Sequence, residues 1–76
     1  MSIYVTYQAR DYDPSQVHKR YVRFDGKKFG FCEIGKLRGF DIRQGWVDAE
    51  DLPTDVKDKA IALKGTWPSY IEWPIE

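Results

Sequence analysis

The stretch Tyr21-Val22-Arg23-Phe24-Asp25-Gly26-Lys27-Lys28-Phe29-Gly30-Phe31-Cys32 decides how this chain folds. Two runs rich in aromatic and β-branched residues flank an Asp-Gly pair, which is the strongest short-range signal for a β-hairpin. A two-residue type I′ turn at Asp25-Gly26 would set Phe24 opposite Lys27, Val22 opposite Phe29 and Arg20 opposite Phe31. Opposed residues share a face. Val22, Phe24, Phe29 and Phe31 then form one apolar face, and Tyr21, Arg23, Lys28, Gly30 and Cys32 form the other. A three-residue loop would scatter the apolar residues over both faces, so the binary pattern favours the tighter turn.

Upstream, residues 2–8 read as a strand, with Ile3, Val5 and Tyr7 on one face and Tyr4, Thr6 and Gln8 on the other. The polar stretch ending in Asp13-Pro14 reads as a turn or loop. Downstream, residues 35–39 are a loop bracketed by glycines. Residues 40–43 alternate as a short strand, and Gly45 interrupts before Trp46-Val47 as a bulge or tight turn. From Asp48 to Gly65 the period changes, and Leu52, Val56, Ala60 and Leu63 fall on one helical stripe. Thr54 or Asp51 would cap the start, Pro53 suits the first turn and Gly65 the stop. Ile61 falls opposite the stripe. In the tail, Pro68 and Pro74 push Trp67 and Trp73 toward extended geometry, so residues 69–73 add an edge strand or lie across the sheet. The expected fold is α+β: one domain over residues 1–76, with an antiparallel sheet of about four strands packed against one C-terminal helix, and an extended aromatic tail.

A chain of 76 residues with 16% aromatics gains from large rings the burial that its length limits. Twelve basic side chains balance twelve acidic ones, so no global attraction to nucleic acid or an anionic membrane is indicated. The charge is nevertheless uneven. Residues 1–43 carry nine Lys/Arg against five acids, and residues 44–76 carry three against seven. No stretch approaches the roughly 20 apolar residues of a membrane span, and the N-terminus lacks a signal-peptide pattern. Cys32 is the single cysteine, so an internal disulfide is excluded and a reducing, cytoplasmic setting fits best.

Catalytic chemistry finds little to work with. A thiol–imidazole pair would need Cys32 and His18 in contact. The better reading makes Cys32 a packing residue and His18 a surface one. Two Cys/His ligands fall short of the roughly four of a structural zinc site. Asp11-Tyr12-Asp13 lacks the further acids of a calcium loop. Asp48, Glu50 and Asp51 read as a solvated cap. No phosphate-cradling glycine pattern occurs. The expectation is a non-enzyme without cofactor or metal.

The stretch KKFGFCEI at residues 27–34 resembles the aromatic strand motif of RNA-recognition motifs: Lys27, Phe29, Gly30 and Phe31 match its pattern. The N-terminal IYVTY is loosely similar to the partner strand of those domains. The resemblance implies that Phe29 and Phe31 are exposed platforms for base stacking, with Lys19, Arg20, Arg23, Lys27 and Lys28 along the nucleic-acid backbone. Spacing opposes it, because only about twenty residues lie between the two strands, too few for the helix and strand which that fold inserts there. The hairpin pattern also turns both rings into the core. GWVDAEDL is similar to the Gly-Trp strand of Src-homology-3-like barrels over about eight residues, and its helical continuation departs from them.

What remains is surface recognition. Trp and Tyr are enriched at binding hot spots, and Tyr4, Tyr12, Trp46, Trp67, Tyr70 and Trp73 are the candidates for a protein-binding surface. The sequence reading is therefore a small protein-binding module of inhibitor or adaptor type, a class that includes phage and mobile-element proteins. Single-stranded nucleic-acid binding through the basic hairpin is the alternative.

Overall fold

The computed structural model describes residues 3–36, 41–64 and 70–75. Five strands form one antiparallel sheet: β1 (Ile3–Gln8), β2 (Val17–Phe24), β3 (Phe29–Gly35), β4 (Ile42–Val47) and β5 (Ile71–Glu72). Their order across the sheet is β1-β4-β3-β2-β5. Helix α1 (Thr54–Ala62) lies against one face, contacting β2 and β5. The α+β class holds, with five strands where the sequence suggested about four.

The hairpin between β2 and β3 forms, but its turn differs from the expected one. Phe24 pairs with Phe29, Arg23 with Gly30, Val22 with Phe31 and Tyr21 with Cys32. Residues 25–28 make a four-residue loop. A type I′ turn requires positive φ at both central positions, and here Gly26 alone has it, at 105°. Asp25 instead turns the chain with its carboxylate, which accepts from the Lys27 and Lys28 amides at 2.8 and 2.9 Å. The register has moved by two residues. Because the side-chain period of a strand is also two, every residue keeps the expected face.

Val22, Phe29 and Phe31 therefore point to the core side, where Phe29 and Phe31 are only 6% and 3% exposed. The exposed-platform geometry implied by the RNA-recognition resemblance is overturned at both rings. Phe24 packs against Phe29 with ring centroids 4.7 Å apart. Val47, Leu52, Val56, Ala60 and Trp73 complete the buried cluster. Each large apolar side chain taken from water into it stabilises the fold by about 1.5–3 kcal/mol.

Helix α1 is shorter than the 48–65 span. Residues Ala49–Asp51 form a 3-10 turn, and Leu52 is extended (φ −99°, ψ 141°) before Pro53. A residue preceding proline is sterically driven out of the helical region, so the helix cannot run through Leu52. Pro53, not Thr54 or Asp51, occupies the N-cap position; Thr54 is the first helical residue and Asp51 belongs to the 3-10 turn before it. Leu52, Val56 and Ala60 still face the core, Leu63 is half-buried and Ile61 is exposed. The expected stop at Gly65 lies outside the described residues.

Strand β4 runs unbroken through Gly45. The irregularity sits on its neighbour, where the β1–β4 register shifts between Val5 and Tyr7. This bulge moves Tyr7 onto the face of Tyr4, against the simple alternation expected. A Cβ on Gly45 would stand 1.9 Å from the Tyr4 carbonyl oxygen, so the bare glycine lets β1 close onto β4. In the tail, of the two alternatives for residues 69–73, the structure shows the edge strand, on β2 and limited to Ile71–Glu72.

Candidate functional site

The helix covers one side of the sheet, and the other side carries a mixed aromatic and cationic surface. Register alone assigns its members. Tyr4 opposes Trp46, Trp46 opposes Gly30, and Gly30 opposes Arg23. Two residues along, Gln44 opposes Cys32 and Cys32 opposes Tyr21, which opposes Glu72.

At the centre of this face, Gly30 leaves a gap in the side-chain layer. Thr6, Arg23, Gln44, Trp46 and Tyr70 stand around it and bound a shallow depression of about 230 Å3. Beside it, Tyr21, Cys32, Ile34 and Tyr70 line an apolar hollow. Cations lie over two of the rings. The Lys28 ammonium is 4.4 Å from the Trp46 ring centroid, and the Arg23 guanidinium carbon is 5.7 Å from that of Tyr70. Such contacts contribute about 0.5–1 kcal/mol at exposed positions. Lys19, Arg23 and Lys28 share the face with the acid Glu72, so its local charge is positive although the chain is neutral.

Residues from both sequence-derived sets meet here: Tyr4, Trp46 and Tyr70 from the protein-binding set, Lys19, Arg23 and Lys28 from the nucleic-acid set. Others lie elsewhere. Trp73 is 9% exposed and belongs to the core, with the Arg20 guanidinium stacked 3.9 Å from its ring centroid. It is a packing residue, not a surface aromatic. Arg20 also donates to the Pro74 carbonyl at 2.8 Å, which fastens the tail to β2. Lys27 is exposed in the hairpin loop. Trp67 lies outside the described residues.

Tyr12 is half-buried and donates its hydroxyl proton to Glu33 at 3.2 Å. Arg43 Nε donates to the same Glu33 oxygen at 2.6 Å. Burial raises the Tyr12 phenol pKa above its ordinary value, and the Glu33 carboxylate adds to the effect. Nearby, buried Asp41 accepts from the Asp13 amide at 2.9 Å, and its carbonyl accepts from the Gly35 amide at 2.7 Å. This polar cluster satisfies its own groups and anchors the segment between β1 and β2.

Two further groups can be judged chemically. Burial, with a contribution from the Glu33 charge, pushes the Cys32 thiol pKa up, which disfavours the thiolate. Cys32 opposes Tyr21, three residues along β2 from His18, a separation of about 10 Å at strand spacing. That is beyond hydrogen-bond reach for a thiol–imidazole pair. Asp13 uses its carboxylate on the Ser15 amide and hydroxyl, as the N-cap of the 3-10 turn Pro14–Gln16. Among the described residues, no group of three or more His, Cys, Asp or Glu side chains could hold a metal ion. None of the helices there is long and apolar enough to cross a membrane.

Gly30, Thr6, Gln44 and Tyr21 escaped the sequence reading as site residues. The signal for Gly30 was present, because a glycine between two core-facing phenylalanines must leave a space on the opposite side of its strand. In comparisons with known proteins, no family model, no curated protein and no solved structure matches this chain.

Proposed function

We propose that this chain is a non-enzymatic protein-docking module of inhibitor or adaptor type. Its uncovered sheet face would receive a partner segment that carries carboxylates beside apolar side chains. The observation that carries this reading is the cluster of Trp46, Tyr70, Arg23 and Lys28 around the space above Gly30. Trp, Tyr and Arg are the residue types that dominate binding hot spots, because they bury large areas while keeping a polar handle. Lys28 and Arg23 already lie over their rings. A carboxylate could engage those charges from outside while an apolar side chain enters the depression. The local positive charge complements an acidic partner, and charge complementarity of this kind favours selective encounter. A single thiol on this face suits a reducing, cytoplasmic setting.

Selection from a displayed random-peptide library on the immobilised protein tests this directly. Recovered sequences should combine Asp or Glu with Leu, Ile or Phe. Their binding should drop at least tenfold in Arg23→Glu and in Trp46→Ala, and remain in Lys57→Glu on the helix. Peptides without acidic enrichment, or with binding indifferent to Arg23→Glu, would overturn the reading. Fluorescence anisotropy with oligothymidylate and oligouridylate covers the rival partner. Binding there that falls steeply with salt would assign the face to single-stranded nucleic acid instead.

A further inference from the structure

The two edges of the sheet are built differently. Edge strand β5 has only two residues and is followed closely by Pro74, which has no amide hydrogen to donate. Such an edge resists strand addition. Edge strand β1 has six residues, Ile-Tyr-Val-Thr-Tyr-Gln, without charge, proline or glycine. Among the described residues, no strand pairs with its outer side. The devices that ordinarily guard an edge are lysine, proline, shortness, a bulge or a covering element, and among the described residues β1 shows only the bulge between Val5 and Tyr7.

Exposure of large apolar side chains concentrates on the same strand. Tyr4, Val5 and Tyr7 are 58%, 46% and 50% exposed. Tyr4 and Tyr7 stand on the uncovered face, and Val5 stands on the helix side, opposite Gly45. The helix makes its main strand contacts with β2 and β5, toward the other end of the sheet, and at this end Ile3 of β1 packs against the core cluster. Along this edge Tyr4 and Tyr7 on one face and Val5 on the other are exposed, and among the described residues no strand covers the outer backbone.

We infer that β1 is a self-association edge, on which the β1 strand of a second copy of this chain pairs antiparallel about a two-fold axis. The absence of charge favours a second copy. In a two-fold pairing each side chain approaches its own equivalent or a near neighbour, so a charged strand would repel itself, and Ile3–Gln8 has nothing to repel. The pairing closes at two copies. Each β1 is used up by its partner, and the short β5 edges left outside do not continue the sheet. Tyr4 and Tyr7 of the two copies then lie on one continuous ten-stranded surface.

Analytical ultracentrifugation of the full chain tests this, over a concentration series reaching about 1 mM, the weak end of specific association. The expected result is a concentration-dependent monomer–dimer equilibrium that Val5→Lys and Tyr7→Lys each shift at least tenfold toward monomer. Circular dichroism confirms that each variant retains its fold, and the two positions back each other up should one fail to fold. Hydrogen exchange of the β1 amides should slow as protein concentration rises. A wild-type chain that stays monomeric throughout would sink the inference and leave the edge to a strand of another protein. So would assemblies larger than a dimer, or a dimer untouched by both substitutions.

Discussion

Gly30 lies directly opposite Trp46 across the β3–β4 pair, and a Cβ added to Gly30 would stand 3.4 Å from the Trp46 ring, at Cζ3. The next atoms would be the Gly45 carbonyl oxygen at 3.6 Å and the Arg23 side chain at 3.7 Å. A methyl group fits there with little adjustment, whereas a branched side chain fills the depression. Gly30→Ala should therefore keep the fold and weaken peptide docking modestly. Gly30→Leu should keep the fold and reduce affinity at least tenfold, which is about 1.4 kcal/mol. Thermal denaturation alongside peptide titration separates the two effects. Equal docking by Gly30→Leu and wild type would remove the depression from the site.

Gly45→Ala should be severe. The new Cβ would meet the Tyr4 carbonyl oxygen at 1.9 Å and the Val5 Cα at 2.8 Å, both backbone atoms that no rotamer change can move. Relief requires β1 to leave β4. A loss of about 3 kcal/mol or more is expected, at or beyond the upper end of overpacking costs. Urea denaturation measures it, and amide exchange should locate the loosening in Ile3–Gln8.

The Asp25 carboxyl is held below its ordinary pKa, chiefly by the Lys28 amide and then by the Lys27 amide. A group with a lowered folded-state pKa contributes stability that is present above its unfolded pKa and disappears as pH falls through the folded value. Asp25→Asn should be less stable than wild type at neutral pH, and the gap should narrow in acid. Melting temperatures from neutral pH down to about pH 2, well below the ordinary carboxylate range, check this. A gap that stays constant would detach the loop from the Asp25 charge.

Tyr12 gives the opposite dependence. Burial, reinforced by Glu33, raises its phenol pKa, so the folded chain holds the neutral form. The stability linked to this is complete below the unfolded pKa near 10 and is lost as pH rises through the folded value. Tyr12→Phe removes the Glu33 hydrogen bond, at a cost of about 1–2 kcal/mol at neutral pH. It should also lose less stability than wild type on going to alkaline pH. Denaturant midpoints on either side of the phenol titration provide the comparison.

Cys32 should alkylate slowly. Its thiol pKa is raised by burial, and the thiolate is the reactive form. Iodoacetamide at neutral pH should modify the native chain several-fold more slowly than the urea-unfolded chain. Equal rates would mean that the thiol is not desolvated.

Much of this fold was legible in local chemistry. The Asp-Gly pair located the hairpin, and the alternation around it assigned Val22, Phe24, Phe29 and Phe31 to one face. That assignment survived a wrong turn because the error was two residues, a full strand period. The helix stripe at Leu52, Val56 and Ala60 was also legible, and its true start was within reach. The steric rule that predicts extended geometry for a residue before proline, read in the sequence at Trp67 and Trp73, applies equally to Leu52 before Pro53. The bulge in β1 was not legible, because it comes from how β1 meets the bare backbone at Gly45 on a strand distant in sequence.

Periodicity is written locally in the sequence, and it was enough to assign the core faces of the hairpin and of the helix. Side-chain period and backbone sterics act over a few residues, so neighbouring positions suffice to read them. Which strands are neighbours was settled by the folded sheet as a whole. It placed β4 between β1 and β3, set Trp46 beside Gly30 and Tyr4, drew Trp73 into the core, and left β1 at an edge. Those outcomes depend on pairings between segments far apart in the chain. The candidate site is made of such pairings, which is why its residues were named in the sequence under two separate headings and met only in the folded sheet.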